Sequence, residues 1–201
     1  MIKAVLFDLG GVIVNVHLEL FLQRAAENSP CTPEEIGQLV LNAPQTKQYE
    51  LGLLSTSGFY RWVRHVLRLE MSERQFVRAF SDIFSPNDAV LQLLTQLDGR
   101  LQVGVISNTN VAHYRWIAKH VKPVCALSPA VLSFREHLAK PDQEIYALAV
   151  ARAGCTPSET VFIDDLEPNV AAARATGMNA ILYENPDQLK AQLQALGIAL
   201  T

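Results

Sequence analysis

The chain has 201 residues, 49% hydrophobic and 18% charged. That is enough apolar material for one sizeable core, too short for two full domains and too apolar for disorder. Seventeen Lys and Arg against twenty Asp and Glu leave a net charge of −3, which offers no overall electrostatic case for nucleic acid or an anionic membrane.

No apolar run approaches the roughly 18 residues of a membrane span, and the N-terminal run Ala4-Val5-Leu6-Phe7 is cut by Asp8, too soon for a signal peptide. Cys31, Cys125 and Cys155 are widely spaced and form no C-x-x-C pair. They read as reduced, mostly buried thiols, and the expectation is a cytoplasmic protein.

In chain order, Ile2 to Phe7 is a compact β-branched and aromatic run that reads as a strand. From Val16 to Ser85 no convincing strand follows, only helix signatures. Leu18, Phe21, Leu22 and Ala25 lie at helical spacing, Thr32-Pro33-Glu34-Glu35 is a capping box, and Phe59, Trp62, Val63, Val66 and Leu67 form a second stripe. Ser72-Glu73-Arg74-Gln75 opens another helix. Val90, Leu93, Leu94 and Leu97 mark a helix that Gly99 ends, and Leu101 to Ile106 is a second strand. Ala130 to Leu132 is a third, Asp142 to Ala153 a helix, Val161 to Ile163 a strand, Pro168 to Thr176 a helix and Ala180 to Tyr183 a last strand. Strands alternating with helices predict an α/β fold, a doubly wound and mostly parallel sheet. Its core is expected over 1–15 and 86–201, with a small helical subdomain, 16–85, inserted after the first strand.

Polar residues follow four of these strands. Asp8-Leu9-Gly10-Gly11 places a carboxylate before a glycine pair, which permits a tight turn and close approach to a ligand. Ser107-Asn108-Thr109-Asn110 precedes a helix and can offer a hydroxyl and free N–H groups to an anion, or simply cap that helix. Ala139-Lys140-Pro141-Asp142 brings one cation close to the sheet edge. Asp164-Asp165, with Glu167 and Asn169 behind, pairs two carboxylates whose repulsion calls for a cation such as Mg²⁺.

Together, in this order, Asp8-Leu9-Gly10-Gly11-Val12-Ile13, Ser107, Lys140 and Asp164-Asp165 resemble the four motifs of the haloacid dehalogenase-like superfamily, from the first strand to about Gly177. The helical insertion resembles the family's cap, and the Ser-Asn-Thr-Asn and Lys-Pro-Asp stretches resemble a branch of small sugar-phosphate phosphatases. The resemblance implies a Rossmann-like core and a Mg²⁺-dependent phosphatase acting on a small phosphorylated metabolite, hexose phosphates first. In that reading Asp8 is the nucleophile, Ser107 a hydrogen-bond donor and Lys140 a neutralising charge. The metal is held by Asp8, the Gly10 carbonyl and Asp165, with Asn169 in support and Asp164 behind the direct ligand. The substrate side is assigned to Gly10, Gly11, Ser107, Asn108 and Lys140, joined from the cap by His17 and Glu50.

One departure stands out. Many phosphatases of this superfamily carry a second Asp two residues after the nucleophile, as acid and base; here that position is Gly10. His17 and Glu50 are candidates to replace it. The departure keeps two alternatives open, a 2-haloacid dehalogenase-type hydrolase and a catalytically weakened ligand-binding protein. His65, His113, His120 and His137 lack metal-ligand spacing and read as surface or loop residues. No nucleic-acid or membrane partner is expected, and the chain is expected as a monomer or homodimer.

Overall fold

The computed structural model describes residues 1–97 and 99–200. Strand β1 (Ala4–Phe7) is fully buried on both faces, as a central parallel strand must be. After a turn at residues 8–13 the chain forms a second short strand, β2 (Val14–Val16), then five helices. These are α1 (Leu18–Ala26), α2 (Pro33–Val40), α3 (Pro44–Glu50), α4 (Thr56–Leu67) and α5 (Glu73–Ser81). Thr32 and Ser72 make the two expected capping boxes, with Glu35 and Gln75 reaching back.

The five helices turn their apolar stripes toward one another. Phe21, Phe59, Phe76 and Phe80 pack into an aromatic cluster of their own, with Phe21 edge-on to Phe80 at 5.2 Å and Phe76 stacked on Phe80 at 5.4 Å. The segment closes with β3 (Phe84–Pro86), which pairs antiparallel with β2, Val16 opposite Phe84 and Val14 opposite Pro86. This ribbon corrects the expectation that 16–85 contains no strand. Three residues, one of them the polar Asn15 or Ser85, are too few to show a period of two. The expected boundaries at 15/16 and 85/86 fall inside it.

The remaining chain winds the sheet: α6 (Asp88–Leu97), β4 (Gln102–Ser107), α7 (Val111–His120), β5 (Ala130–Leu132), α8 (Ser133–Glu136), α9 (Gln143–Arg152), β6 (Thr160–Asp164), α10 (Glu167–Ala175), β7 (Asn179–Leu182) and α11 (Pro186–Ala195). The strands lie parallel in the order β5-β4-β1-β6-β7. Alternate residues of β1 face opposite layers. Val5 and Phe7 pack with Val90 and Leu94 of α6, Ile117 of α7 and Leu189 and Leu193 of α11. Leu6 packs with Ile145 and Ala149 of α9 and Ala173 of α10. The chain runs outward from β1 in one direction through β4 and β5, then in the other through β6 and β7. The crevice beside β1 at the carboxyl ends is thus a topological switch point, the usual ligand position in such sheets.

Two minor expectations change. Cys125 is exposed rather than buried, because it lies on the short surface 3₁₀ helix after α7. Cys31 and Cys155 are half-buried. His113, expected at the surface or in a loop, is mostly buried on the inner side of α7. Among the described residues no helix is long and apolar enough to cross a membrane.

Candidate active site

Four strand ends deliver the polar residues that the sequence singled out. Asp8 follows β1, Ser107 ends β4, Asp164 ends β6, and Lys140 comes from the segment between α8 and α9. The parallel register puts β1 between β4 and β6, so these side chains meet over one crevice. Lys140 Nζ lies 3.0 Å from Asp8 Oδ2 and 2.6 Å from Asp164 Oδ2, with all three side chains largely removed from solvent. The Leu9 N–H donates to Asp8 Oδ1 at 2.7 Å, which fixes the carboxylate's orientation.

Asp164 is wholly buried. It accepts from Lys140, from the Leu166 N–H at 2.9 Å and from the Asn169 amide on both of its oxygens. Asn169 therefore supports Asp164, not Asp165, which differs from the role the sequence reading gave it. Its carbonyl in turn accepts from the Tyr146 hydroxyl, which anchors α10. Asp165 is exposed and makes none of these bonds.

Oxygens of Asp8, Asp164 and Asp165 lie within 4.8 Å of one another. Burial raises the Asp8 pKa to about 6; Lys140 opposes the shift, Asp164 adds to it, and a hydrogen bond from Ser107 opposes it. Burial first, and the Asp164 charge second, also raise Asp165. Three carboxylates thus share a single lysine, a local excess of negative charge that suits a divalent cation with hard oxygen ligands. Gly11 makes the cluster sterically possible. It has φ +78°, and a Cβ there would collide with the Asp165 carboxylate. Gly10 lines the same crevice, and a Cβ on it would lie 3.3 Å from Val16 Cγ2.

Asn108 holds the lysine rather than presenting a free amide. Its Nδ2 donates to the Lys140 carbonyl and its Oδ1 accepts the Lys140 N–H, both at 2.8 Å. The helix beyond, α7, is capped by Asn110, whose Oδ1 accepts from the N–H groups of Ala112 and His113. That cap is the ordinary alternative reading of the Ser-Asn-Thr-Asn stretch, and here it uses Asn110 while Ser107 stays on the crevice.

Two connected spaces open at these residues. An outer cleft of about 500 Å³ is bordered by Asp8, Gly10, Gly11, Lys140 and Asp165. An inner chamber of about 220 Å³ continues under the helical segment, and Gly10, Val16 and Asn108 border both. Glu50 lines the inner chamber, and burial raises its carboxyl pKa against the pull of Lys47. His17 lines neither space. Its Nε2 is 2.8 Å from Ser85 Oγ and its Nδ1 is 3.5 Å from Glu19, because it precedes α1 without capping it and is turned to the β2–β3 ribbon. The structure therefore does not bring His17 to the site.

Two residues to which the sequence reading gave no role at the site join the sheet edge to the helical segment beside the chamber. The Ser133 hydroxyl, fully buried, lies 2.6 Å from the Glu50 carbonyl and 2.9 Å from the Thr109 carbonyl, and accepts the Thr109 N–H. It ties the sheet edge to the helical segment. His137 adds a second tie, its Nδ1 donating to the Leu51 carbonyl at 2.7 Å. His113 forms part of the wall, stacked on Phe80 at 4.2 Å. Ser133 is one serine at the end of a three-residue strand, so nothing in its spacing marks it.

The chain matches the haloacid dehalogenase-like hydrolase family over residues 2–177. It belongs to that family. It is similar to a sesquiterpene phosphatase of Aspergillus oryzae, 27% identical over 88% of this chain and 87% of the relative. It is also similar to the D-ribitol-5-phosphate phosphatase of Bacteroides thetaiotaomicron, 24% identical over 98% of each chain. Among solved structures, a haloacid dehalogenase-family enzyme of the same Bacteroides, complexed with magnesium and inorganic phosphate, superposes with a TM-score of 0.77. The two are 27% identical, and the match covers 92% of this chain and 95% of that one. As a member of this hydrolase family the chain is an enzyme with an α/β core, and its relatives include phosphatases of small phosphorylated compounds.

Proposed function

We propose that the protein is a Mg²⁺-dependent phosphomonoesterase in which residues 1–15 and 86–201 form the catalytic core and 16–85 a cap over it. The observation that carries this reading is the meeting of Asp8, Asp164 and Asp165 around one buried Lys140 at the switch point of the sheet. The magnesium–phosphate complex of the similar Bacteroides enzyme and the phosphatase relatives support it.

Asp8, the Gly10 carbonyl and Asp165 would hold the ion, while Asp164 keeps its oxygens on Lys140, Asn169 and the Leu166 N–H. Mg²⁺ bound there would supply positive charge against the transferring phosphoryl oxygens. Asp8 attacks phosphorus with one carboxylate oxygen. The P–O bond to the substrate carbon skeleton breaks, and the leaving oxygen departs as an alcohol once it takes a proton. Water then attacks the aspartyl-phosphate, releasing inorganic phosphate and restoring Asp8. Lys140 and the Ser107 hydroxyl stand where charge develops on the phosphoryl oxygens. Gly10 offers no side chain to move the leaving-group proton. Among the described residues Glu50 is the one acidic side chain lining the inner chamber, and its raised pKa suits it to carry that proton.

The substrate is a small phosphorylated metabolite, and hexose phosphates form the first panel. Phosphate release from that panel and from p-nitrophenyl phosphate should require Mg²⁺, stop in EDTA and vanish in Asp8→Asn. Release that persists in folded Asp8→Asn would end the reading.

A further inference from the structure

The inner chamber offers a leaving group almost nothing to hydrogen-bond. Its walls include Leu9, Val40, Leu41, Ile83, Phe84 and Ile117. Most polar side chains that reach it are already engaged. Asn108 holds both sides of the Lys140 backbone. His113 lies 3.0 Å from the Phe80 carbonyl through Nε2 and 3.0 Å from the Asn110 amide through Nδ1, so neither ring nitrogen is free. Asn110 Oδ1 takes two α7 N–H groups. The Thr46 hydroxyl is given to the Val40 carbonyl, and Ser107 to Asp8. What remains is the Glu50 carboxyl and the Thr109 hydroxyl.

A hexose phosphate would bring four or five oxygens into this space and leave most of them dry and unpaired, which costs affinity for each one. A chamber of about 220 Å³ exceeds the roughly 150 Å³ apolar cavity that is known to hold benzene. It therefore has room for about six to ten carbons.

We infer that the chamber selects phosphate monoesters of short, largely hydrocarbon alcohols, alkyl, branched alkenyl or aryl, with at most one or two further polar groups, over phosphates of polyols and sugars. This rests on the phosphomonoesterase reading above, and it names the substrate class of the same site. Phosphate lies in the outer cleft beside Asp8 and Lys140, and the carbon skeleton passes Gly10, Val16 and Asn108 into the chamber. Glu50 and Thr109 then set where a lone hydroxyl is tolerated.

The test compares hexyl phosphate and 3-methylbut-2-enyl phosphate with glucose 6-phosphate and ribitol 5-phosphate. In wild-type protein with Mg²⁺, kcat/KM for the two apolar esters should exceed that for the polyol esters by about 10²-fold, the scale set by several unpaired hydroxyls. In parallel, calorimetric titration of Asp8→Asn without metal should show hexyl phosphate binding at least tenfold more tightly than glucose 6-phosphate. Glu50→Leu should widen both ratios, because it removes one of the two polar contacts. Equal or better constants for the polyol esters would overturn the inference while leaving the phosphatase reading intact, with p-nitrophenyl phosphate turnover as its separate check. If wild type releases phosphate from no ester, the phosphatase reading fails, and the titration alone decides whether the chamber prefers hydrocarbon.

Discussion

Asn108 grips Lys140 by its main chain, one amide end on the N–H and the other on the carbonyl. The two residues come from different strand ends, β4 and the segment after α8. This clamp therefore sets how far the buried ammonium reaches toward Asp8 and Asp164.

Asn108→Ala should leave Lys140 in place chemically but loosely aimed. A displacement of about 1 Å at a catalytic charge costs on the order of 10²-fold in rate. We expect kcat for p-nitrophenyl phosphate to fall by about that factor with KM changed less than threefold. Two orphaned backbone groups should also lower stability by about 1–3 kcal/mol. Steady-state kinetics and urea unfolding, run side by side, check both. An equal loss in kcat and rise in KM would show that Asn108 binds substrate and does not position the lysine.

The five strands of the main sheet, most of the helices and the four polar strand ends were legible in the sequence because each rests on local chemistry. β1, β4 and β6 are short apolar runs, and α2 and α5 carry complete capping boxes. What was not legible depends on through-space company. Asn169 follows Asp165 by four residues but its side chain serves Asp164, because the first turn of α10 aims it back at β6. His113 has no sequence signal that separates a wall residue from a surface one; only the cluster of Phe80 and Phe84 against it reveals its burial. His17 is near Asp8 in sequence, yet the ribbon turns it to Ser85.

Asp8 makes the metal-free fold sensitive to pH in a defined direction. Its pKa is about 6 in the folded protein against about 3.9 when unfolded, so folding favours the neutral acid. The resulting stability is present below about pH 4 and lost as pH rises through 6. At pH 7.5 in EDTA, Asp8→Asn should therefore be more stable than wild type by up to about 3 kcal/mol, with the gap closing toward pH 4. Mg²⁺ should reverse the order by raising the wild-type melting temperature and leaving Asp8→Asn little changed. Thermal melts at pH 7.5 and 5 with Mg²⁺ or EDTA give all the comparisons. A wild-type midpoint indifferent to Mg²⁺ would count against a metal at Asp8.

Gly10 has room to become an aspartate. The nearest atom to an added Cβ is Val16 Cγ2 at 3.3 Å, a side chain able to give by a few tenths of an ångström. Its φ is outside the left-handed region that penalises a side chain. Gly10→Asp should fold, and in a Glu50→Gln background, which lacks the other proton carrier, it should raise kcat for esters with poor leaving groups by about 10²-fold or more, as a general acid does. Activated p-nitrophenyl phosphate should gain much less. A similar gain on both substrates would locate the slow step elsewhere than in leaving-group protonation.

His113 should make the seam between α5 and α7 sensitive to acid. Burial lowers its pKa to about 4, with the Phe80 carbonyl pulling the other way. The Asn110 amide against Nδ1 gives an added proton no acceptor. An unfolded histidine titrates near 6.5, so the folded state prefers the neutral ring. Above pH 6.5 this contributes nothing. Stability falls as pH drops from 6.5 to about 4 and levels off below, a loss of up to about 3 kcal/mol. Asp8 shifts stability in the opposite direction over part of this range, so the two must be separated by difference. His113→Gln keeps an N–H for the Phe80 carbonyl and does not titrate. Urea midpoints at pH 7, 5.5 and 4.5 should show wild type ahead at pH 7 and its lead shrinking with each step. Parallel curves for the two proteins would mean that His113 is already free to protonate in the fold.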